Sequence, residues 1–168
     1  MRSILTLLAL LLPLAGMQAQ QLKFGHFDSN TFMSNMPEVK QIQTEMEQRQ
    51  SQVETQIATL REEGQKKLDE LQQKQNSMSE EEKRVAFQEL QELDQRVTTF
   101  VQTAQQELQS QYQEKMLPIQ QKLLRTVQEV GAENGFIYII ESEGGLALHI
   151  SSESIDITPL VKAKLGIK

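Results

Sequence analysis

The chain has 168 residues, a formal net charge of −6, 24% charged residues, 5% aromatic residues and no cysteine. The absence of cysteine excludes a disulfide-stabilised scaffold, and the charged fraction excludes a bundle of membrane-spanning helices. The acidic balance argues against nucleic acid as a partner, because phosphate binding depends on clustered lysine and arginine. Most aromatic residues lie near the two ends, which favours an extended helical middle between folded ends.

Residues 1–19 have the pattern of a secretory signal peptide. Arg2 precedes an apolar run over Ile4–Leu14, and small residues follow that run. The run has about 11 residues, whereas a membrane-spanning helix needs about 20, so we predict a cleaved signal rather than a retained anchor. No cysteine follows the run, which excludes a bacterial lipid anchor. We therefore expect cleavage after Ala19 and export of a protein that is not integral to a membrane.

A short strand and a helix start are predicted next. Alternating apolar and small or polar residues predict a first strand over residues 22–27. Asp28-Ser29-Asn30 then has the composition of a turn. Pro37, followed by Glu38, is typical of the first turn of a helix, because proline lacks the N–H that is unpaired there.

The outgoing helix is predicted over residues 37–76. Its apolar residues, from Val39 to Leu71, recur mostly at steps of three, four or seven, which is typical of a narrow amphipathic stripe. Gly64 interrupts that stripe, and glycine costs about 1 kcal/mol relative to alanine inside a helix. Gly64 is either a tolerated surface residue or a flexible point, so it is the first of two hinge candidates.

A second helix is predicted to begin close to Ser79. The residues just before it, 76–78, break the helical pattern, and Ser79 with Glu82 matches a capping box. Ser77 with Glu80 has the same spacing, so two starts are open.

The second helix carries an apolar seam over residues 86–130, about six heptads, which is a strong signal for helix pairing. The short connection predicts an antiparallel hairpin, giving an arm over residues 37–116 that reaches about 60 Å, with its tip near residues 76–79. Pro118 lies inside the return helix and removes a hydrogen bond, so we expect a kink there and treat it as the second hinge candidate. The helix is expected to end at Gly131 or at Asn134-Gly135.

The C-terminal part changes to strand patterns. Residues 136–140 and 146–150 are β-rich and are separated by a glycine-containing turn, which predicts a β-hairpin. A short last helix is expected to follow, capped by Asp156 or Thr158 and ending near Leu165.

Residues 20–36 and 117–168 would then form a small β-rich oligomerisation body. Three short strands are too few for an independent sheet, and a core of this size is marginal. Oligomerisation through the strands would correct both deficiencies. The predicted fold class is therefore α+β, with a coiled-coil-like helical hairpin attached to a small oligomerising body.

No catalytic constellation is found in the sequence. It has no cysteine nucleophile, no nucleophile elbow and no glycine-rich phosphate loop. His26 and His149 lie on predicted strands, where a structural role is the usual one, and a zinc site needs three or four ligands. We expect no enzyme activity, no metal and no cofactor.

Three stretches of the chain carry a family resemblance. KFGHFDSNTFMSNMPE (23–38) joins a strand to a Pro-Glu helix start, and LPIQQKLLRTVQEVGAENGFIYIIE (117–141) joins a proline-containing helix to a strand. SIDITPLVKAKL (154–165) places Asp-Ile-Thr before a short helix. Together they resemble the first strand, the kinked return helix and the C-terminal segment of the periplasmic Skp/OmpH outer-membrane-protein chaperones, and the resemblance covers essentially the whole mature chain.

The resemblance implies a function and an assembly. The implied assembly is a homotrimer in which strands form a small β-barrel and three arms enclose a cavity, and the implied function is to hold unfolded outer-membrane proteins there without ATP. It implies unfolded outer-membrane proteins and further copies of the chain as partners, in the periplasm. Apolar residues beside the main seam are the candidate client contacts, and the alternative for each is packing inside the hairpin: Val85, Phe87 and Val101.

Charge at the tip bears on a further partner. Five cations gather there and are the candidate contacts for anions: Lys66, Lys67, Lys74, Lys83 and Arg84. Well-known members of the family are basic, whereas this chain is acidic and carboxylates share its tip, which argues against lipopolysaccharide binding. The alternative function is a structural coiled-coil envelope spacer or assembly factor that binds one folded partner. A fully occupied seam would favour that alternative, and the gaps at Arg49, Gln50 and Gly64 count against it.

Overall fold

A computed structural model describes residues 22–144 and 147–167, so the expected signal peptide and its cleavage site after Ala19 lie outside the described residues. Along the described chain, no helix combines the length and the apolar character needed to cross a bilayer. The elements in chain order are β1 (Lys23–Phe27), α1 (Ser29–Asn35), α2 (Pro37–Lys74), α3 (Glu80–Asn134), β2 (Phe136–Glu141), β3 (Ile155–Asp156) and α4 (Thr158–Leu165).

α2 and α3 pair as a long antiparallel hairpin, which confirms the predicted helical arm. Three ion pairs connect the two helices, and their residue numbers converge toward the tip: Glu38–Lys122, Glu45–Lys115 and Lys67–Glu89. At a rise of about 1.5 Å per residue, the 38 residues of α2 span about 57 Å.

The tip of the arm is fixed by a capping box. The Ser79 hydroxyl oxygen accepts a hydrogen bond from the Glu82 N–H at 3.3 Å, and the Ser79 N–H donates to Glu82 Oε2 at 2.7 Å. The Ser77 hydroxyl instead donates to the Lys74 carbonyl at 2.9 Å and closes the end of α2. Of the two predicted helix starts, the structure therefore has the one at Ser79.

α3 continues through Pro118 as one helix of 55 residues. Proline has no N–H to donate to the carbonyl one turn earlier, so the helix lacks one hydrogen bond at this point. The kink and the hinge at Pro118 remain predictions. The helix ends at Asn134, and Gly135 follows with φ 69°, a left-handed conformation that suits glycine. This is the second of the two predicted ends.

A short helix, α1, stands where the sequence suggested only a turn. The Asp28 side chain accepts a hydrogen bond from the Thr31 N–H at 2.8 Å and caps α1, whose residue Phe32 is buried. Aspartate followed by serine and asparagine suits both a turn and a helix start, and the burial of Phe32 favours the helix.

The sheet has the order β2-β1-β3, and both pairings are parallel. The predicted first strand and the strand at residues 136–140 are confirmed. The predicted hairpin is wrong, because residues 147–150 form no strand and the third strand is the two-residue β3 on the far side of β1. The Leu148 side chain is 98% exposed, so it packs against no apolar surface of the described chain. The last helix begins at Thr158, whose N–H donates to Asp156 Oδ1 at 2.8 Å.

The main core lies where the base of the arm meets the sheet. It draws on β1 and α1, on the first turns of α2, on α3 beyond residue 115, and on the β3–α4 segment: Phe27, Phe32, Met36, Val39, Ile42, Met116, Ile119, Leu123, Val130, Ile157 and Val161. Farther out in the arm, the buried apolar residues are Leu71, Leu93 and Ala104. The arm is therefore firmly packed at its base and sparsely packed beyond it.

Candidate functional site

The middle of the arm has an open groove between α2 and α3, here called the Gly64 groove. Its volume is about 760 Å³, which is within the range of about 300–1,000 Å³ that is usual for ligand sites. The residues that line it are Leu60, Arg61, Gly64, Gln65, Leu68, Leu90, Leu93, Asp94, Val97, Thr98, Val101 and Gln102. Half of these are apolar residues from both helices.

The groove exists because α2 has no side chain at the point where it faces Leu93. Gly64 lies opposite Leu93, and a Cβ atom built on Gly64 would be 3.4 Å from Leu93 Cδ2, an ordinary contact. Leu93 itself is 4% exposed, so it fills the space between the helices without closing the flank. Leu60 and Leu68, one turn to either side of Gly64, remain half-buried.

A second groove lies on the opposite flank of the arm and is lined by fewer apolar residues. Its volume is about 690 Å³. Leu60 and Phe100 supply its apolar surface, and the remaining lining is charged or hydroxyl- and amide-bearing: Glu92, Gln95, Arg96, Thr99 and Thr103. The two flanks of the arm therefore differ in the number of apolar side chains, with six in the Gly64 groove and two in this groove.

The three predicted client contacts do not form one surface. Phe87, which is 59% exposed, and the half-buried Val101 are two heptads apart on α3 and share a flank, and Val101 lines the Gly64 groove. Val85 is 44% exposed. It lies two positions before Phe87, and helix residues two positions apart are separated by about 200° around the helix axis. Val85 therefore lies on the other flank from Phe87.

Each of the five tip cations already has a carboxylate partner within the arm. The pairs are Lys66–Glu62 (2.7 Å), Lys67–Glu89 (2.7 Å), Lys74–Glu70 (3.7 Å), Lys83–Glu80 (2.8 Å) and Arg84–Glu81. The hydrogen bonds to Glu62 and Glu89 raise the pKa of Lys66 and Lys67, respectively. An anion at the tip would have to compete with these carboxylates.

The body exposes an apolar face of its sheet. The rings of Phe24 and Tyr138 stack at a centroid distance of 6.4 Å, and Ile140 extends the same face. Tyr138 is 65% exposed, and Phe24 and Ile140 are exposed as well. The sequence indicated oligomerisation through strands but not these residues. Alternation along β2 is the signal that could have found them, because residues 138 and 140 lie on the same side of a strand.

The two histidines are separate from each other. His26 Nδ1 lies 3.0 Å from the Ser154 hydroxyl, and His26 pairs in register with Asp156, whereas His149 is exposed. Burial raises the pKa of Asp156, but hydrogen bonds from Thr158 and the nearby His26 outweigh burial and hold the pKa below its usual value. Over the described ranges, no group of three or more His, Cys, Asp and Glu side chains could hold a metal ion. His26 thus connects β1 to the chain around β3.

Comparison with known proteins gives a family and a fold. The sequence pattern of the OmpH-like outer membrane protein family matches residues 23–165. No curated protein matches the chain. Among solved structures, that of a candidate outer membrane chaperone (OmpH-like) from Caulobacter crescentus CB15 is similar, with a TM-score of 0.76 and 17% identity. The match covers 86% of this chain and 83% of that protein, and at this identity it shows the fold alone.

Proposed function

Because the chain belongs to the OmpH-like outer membrane protein family, we propose that it is an ATP-independent holdase chaperone. It binds unfolded outer-membrane β-barrel proteins in a cavity between helical arms and prevents their aggregation before membrane insertion. It acts in the periplasm after removal of the signal peptide. It needs no cofactor and is not an enzyme.

The observation that carries this proposal is the incomplete packing of a long arm. A seam that serves only as a spacer would bury its apolar residues along its whole length, whereas this arm leaves open grooves on both flanks. An unfolded barrel strand alternates apolar and polar residues and cannot bury its apolar face until the barrel closes in the membrane. Many weak contacts along an arm can hold such a chain together and release it one contact at a time.

The proposed assembly is a homotrimer in which the strands form a small β-barrel. The exposed sheet face of Phe24, Tyr138 and Ile140 supports this assembly, because an apolar face of this kind is otherwise left in water. A three-stranded sheet also leaves β2 and β3 as open edges, which barrel closure would remove. Residues 37–116 then act as the arm, and residues 20–36 and 117–168 as the oligomerisation body.

The proposed client contacts are Val85, Phe87 and Val101, and Gly64 and Pro118 are the proposed hinge points. The paired tip cations support a protein client rather than lipopolysaccharide, because each cation already has an anion beside it.

The proposal is tested by light scattering. A urea-unfolded outer-membrane β-barrel protein is diluted into buffer without ATP, with and without residues 20–168 of this chain. We expect suppression of scattering near one trimer per client. Unchanged scattering at several-fold excess of a well-folded oligomer would contradict the holdase function and favour the spacer.

A matched pair of variants places the contacts. Val85→Ser, Phe87→Ser and Val101→Ser together are expected to abolish suppression while helicity is retained. The control carries Gln88→Ser, Gln91→Ser and Gln105→Ser at three exposed polar positions of the same helix. Its helix-propensity cost is at least as large, because serine is a weaker helix former than glutamine and about equal to valine and phenylalanine. Equal suppression by both variants would contradict the assignment of these contacts.

A further inference from the structure

We propose that the Gly64 groove is the part of the arm that grips the client, by taking apolar side chains from an extended segment of an unfolded outer-membrane protein. This inference rests on the proposed holdase function and specifies where on the arm the client is held. It gives Gly64 a second role besides that of a proposed hinge point, because the missing side chain leaves space for the client.

The floor of the groove has apolar surface that the arm does not cover by itself. Leu60, Leu68, Leu90 and Val97 all face the groove and remain half-buried. Covering apolar surface contributes about 25 cal/mol per Å² removed from water. An apolar side chain that enters the groove therefore removes its own surface and the surface of the floor residues from water. The floor residues are already held in place by the two helices.

The rim of the groove is suited to a polypeptide rather than to a polyanion. It carries one cation and one anion, Arg61 and Asp94, together with the amides of Gln65 and Gln102. Within residues 22–144, neither Arg61 nor Asp94 takes part in an ion pair, although every cation at the tip does. An extended chain exposes both N–H donors and C=O acceptors, and a rim with both signs of charge complements both.

The length of the groove matches a short extended segment. From Leu60 to Leu68 the helix rises about 12 Å. An extended chain rises about 3.3 Å per residue, so about four of its residues fit along this length. Alternate side chains of such a segment point to the same side, so about two would enter the groove while the others face water. Barrel strands have this alternation.

The opposite flank offers fewer apolar side chains to a client. Its groove has mainly charged, hydroxyl and amide groups, with Leu60 and Phe100 as its apolar part. Phe87, in contrast, lies on the same flank as the Gly64 groove and continues it toward the tip, since residues 87, 94 and 101 are successive heptad positions. We therefore expect the client segment in the groove to follow this flank, while Val85 on the other flank contacts a different part of the client.

Filling the groove tests the inference. Gly64→Met places a side chain into the groove, and its Cβ is accommodated because Leu93 Cδ2 is 3.4 Å away. The affinity for a dye-labelled, urea-unfolded outer-membrane β-barrel protein, measured by fluorescence anisotropy, is expected to weaken about tenfold, the loss of roughly one buried apolar contact. Gly64→Ala fills less space and is expected to weaken affinity less than about threefold.

A control separates groove filling from stiffening of α2. Thr55→Ala with Thr59→Ala raises helix propensity on an exposed part of α2 by about 1 kcal/mol, as glycine replacement does, and neither position lines the groove. This variant is expected to bind client as the wild type does. If it weakens binding as much as Gly64→Met does, or if Gly64→Ala and Gly64→Met weaken it equally, the effect is stiffening of a hinge and the groove assignment is wrong.

A direct contact measurement completes the test. The chain has no cysteine, so Thr98→Cys introduces a unique thiol in the groove, and Gln106→Cys introduces one on the exposed back of α3. Client is expected to slow alkylation at position 98 several-fold and to leave position 106 unchanged. Protection of position 98 without client would assign the groove to a second copy of the chain and overturn the inference. A Thr98→Cys chain that holds client without protection of position 98 would overturn the inference alone, whereas a wild-type chain that holds no client would refute the proposed function.

Discussion

Gly25→Ala is expected to destabilise the body, because the core leaves no room for a methyl group on β1. A Cβ atom at Gly25 would lie 3.0 Å from Ile157 Cγ2 and 3.2 Å from Phe136 Cδ1 and Cε1. Ile157 is 0% exposed, and its Cγ2 is attached to a branched carbon with one strongly preferred rotamer, so it cannot move aside. Overpacking of this kind destabilises a protein by about 1–3 kcal/mol. Alanine also loses less conformational entropy on folding than glycine, which stabilises the fold by about 0.5–1 kcal/mol. With an overpacking cost of about 2 kcal/mol, the middle of that range, the net loss is about 1–1.5 kcal/mol.

The assay follows thermal unfolding of the body by tyrosine fluorescence. The chain has two tyrosines, and in a Tyr112→Phe background Tyr138 on β2 is the one that remains. At about 2–4 °C per kcal/mol for a chain of this size, the midpoint should fall by about 2–6 °C at fixed protein concentration. Gly64→Ala is the control, since its Cβ meets nothing closer than 3.4 Å and should not lower the midpoint. An unchanged or higher midpoint for Gly25→Ala would refute the packing argument.

Two further predictions concern the tip and the sheet face. Ser79→Ala removes the cap of α3 and should lower the hydrogen-exchange protection of the first α3 turn about fivefold, for a cap worth about 1 kcal/mol. Hydrogen bonds from the Ser79 N–H and hydroxyl lower the pKa of Glu82 below 4.5, so the capping box is intact above pH 4.5 and is lost as the pH falls through the folded-state pKa. Exchange measured across pH 3–6 that shows no added loosening of the wild-type turn would contradict this. Tyr138→Glu places a charge on the exposed sheet face and should reduce the oligomer in sedimentation velocity with the monomer still folded, whereas an unchanged oligomer would exclude this face as the interface.

The helical arm could be predicted because its signals are local. The apolar period of α3, the Ser79–Glu82 capping box and the glycine after Asn134 each act within a few residues, and all three are found in the structure. The start of α2 at Pro37 has the same origin. Periodicity and caps therefore determined the elements that depend least on the rest of the molecule.

The body was harder to predict because its pairings are not local. β1 and β2 are neighbours although more than a hundred residues separate them, and the hairpin returns the chain so that they pair in parallel. The stretch at residues 146–150 has strand composition, but composition does not supply a partner strand. α1 was missed for a related reason, since only the burial of Phe32 distinguishes its Asp28 cap from a turn.

The same distinction applies to the candidate site. Val101 and Gly64 were both selected from the sequence, one as an apolar residue beside the seam and one as a break in it. That they line the same groove depends on the register of α2 against α3, which places Gly64 opposite Leu93. Register is a property of the pair of helices and cannot be read from either one alone.

The distribution of packing explains how an open groove can persist in a folded arm. Leu71 is buried on the tip side of Gly64, and the main core holds the base of both helices, so the sparsely packed segment is closed at both ends. The cross-helix ion pairs are exposed, and such pairs contribute about 0–1 kcal/mol each, so they cannot draw the middle of the arm together. The helices therefore stay in register while the surface between them remains available. An arm packed evenly along its length would be more stable but would leave no open apolar groove for an unfolded chain to bind.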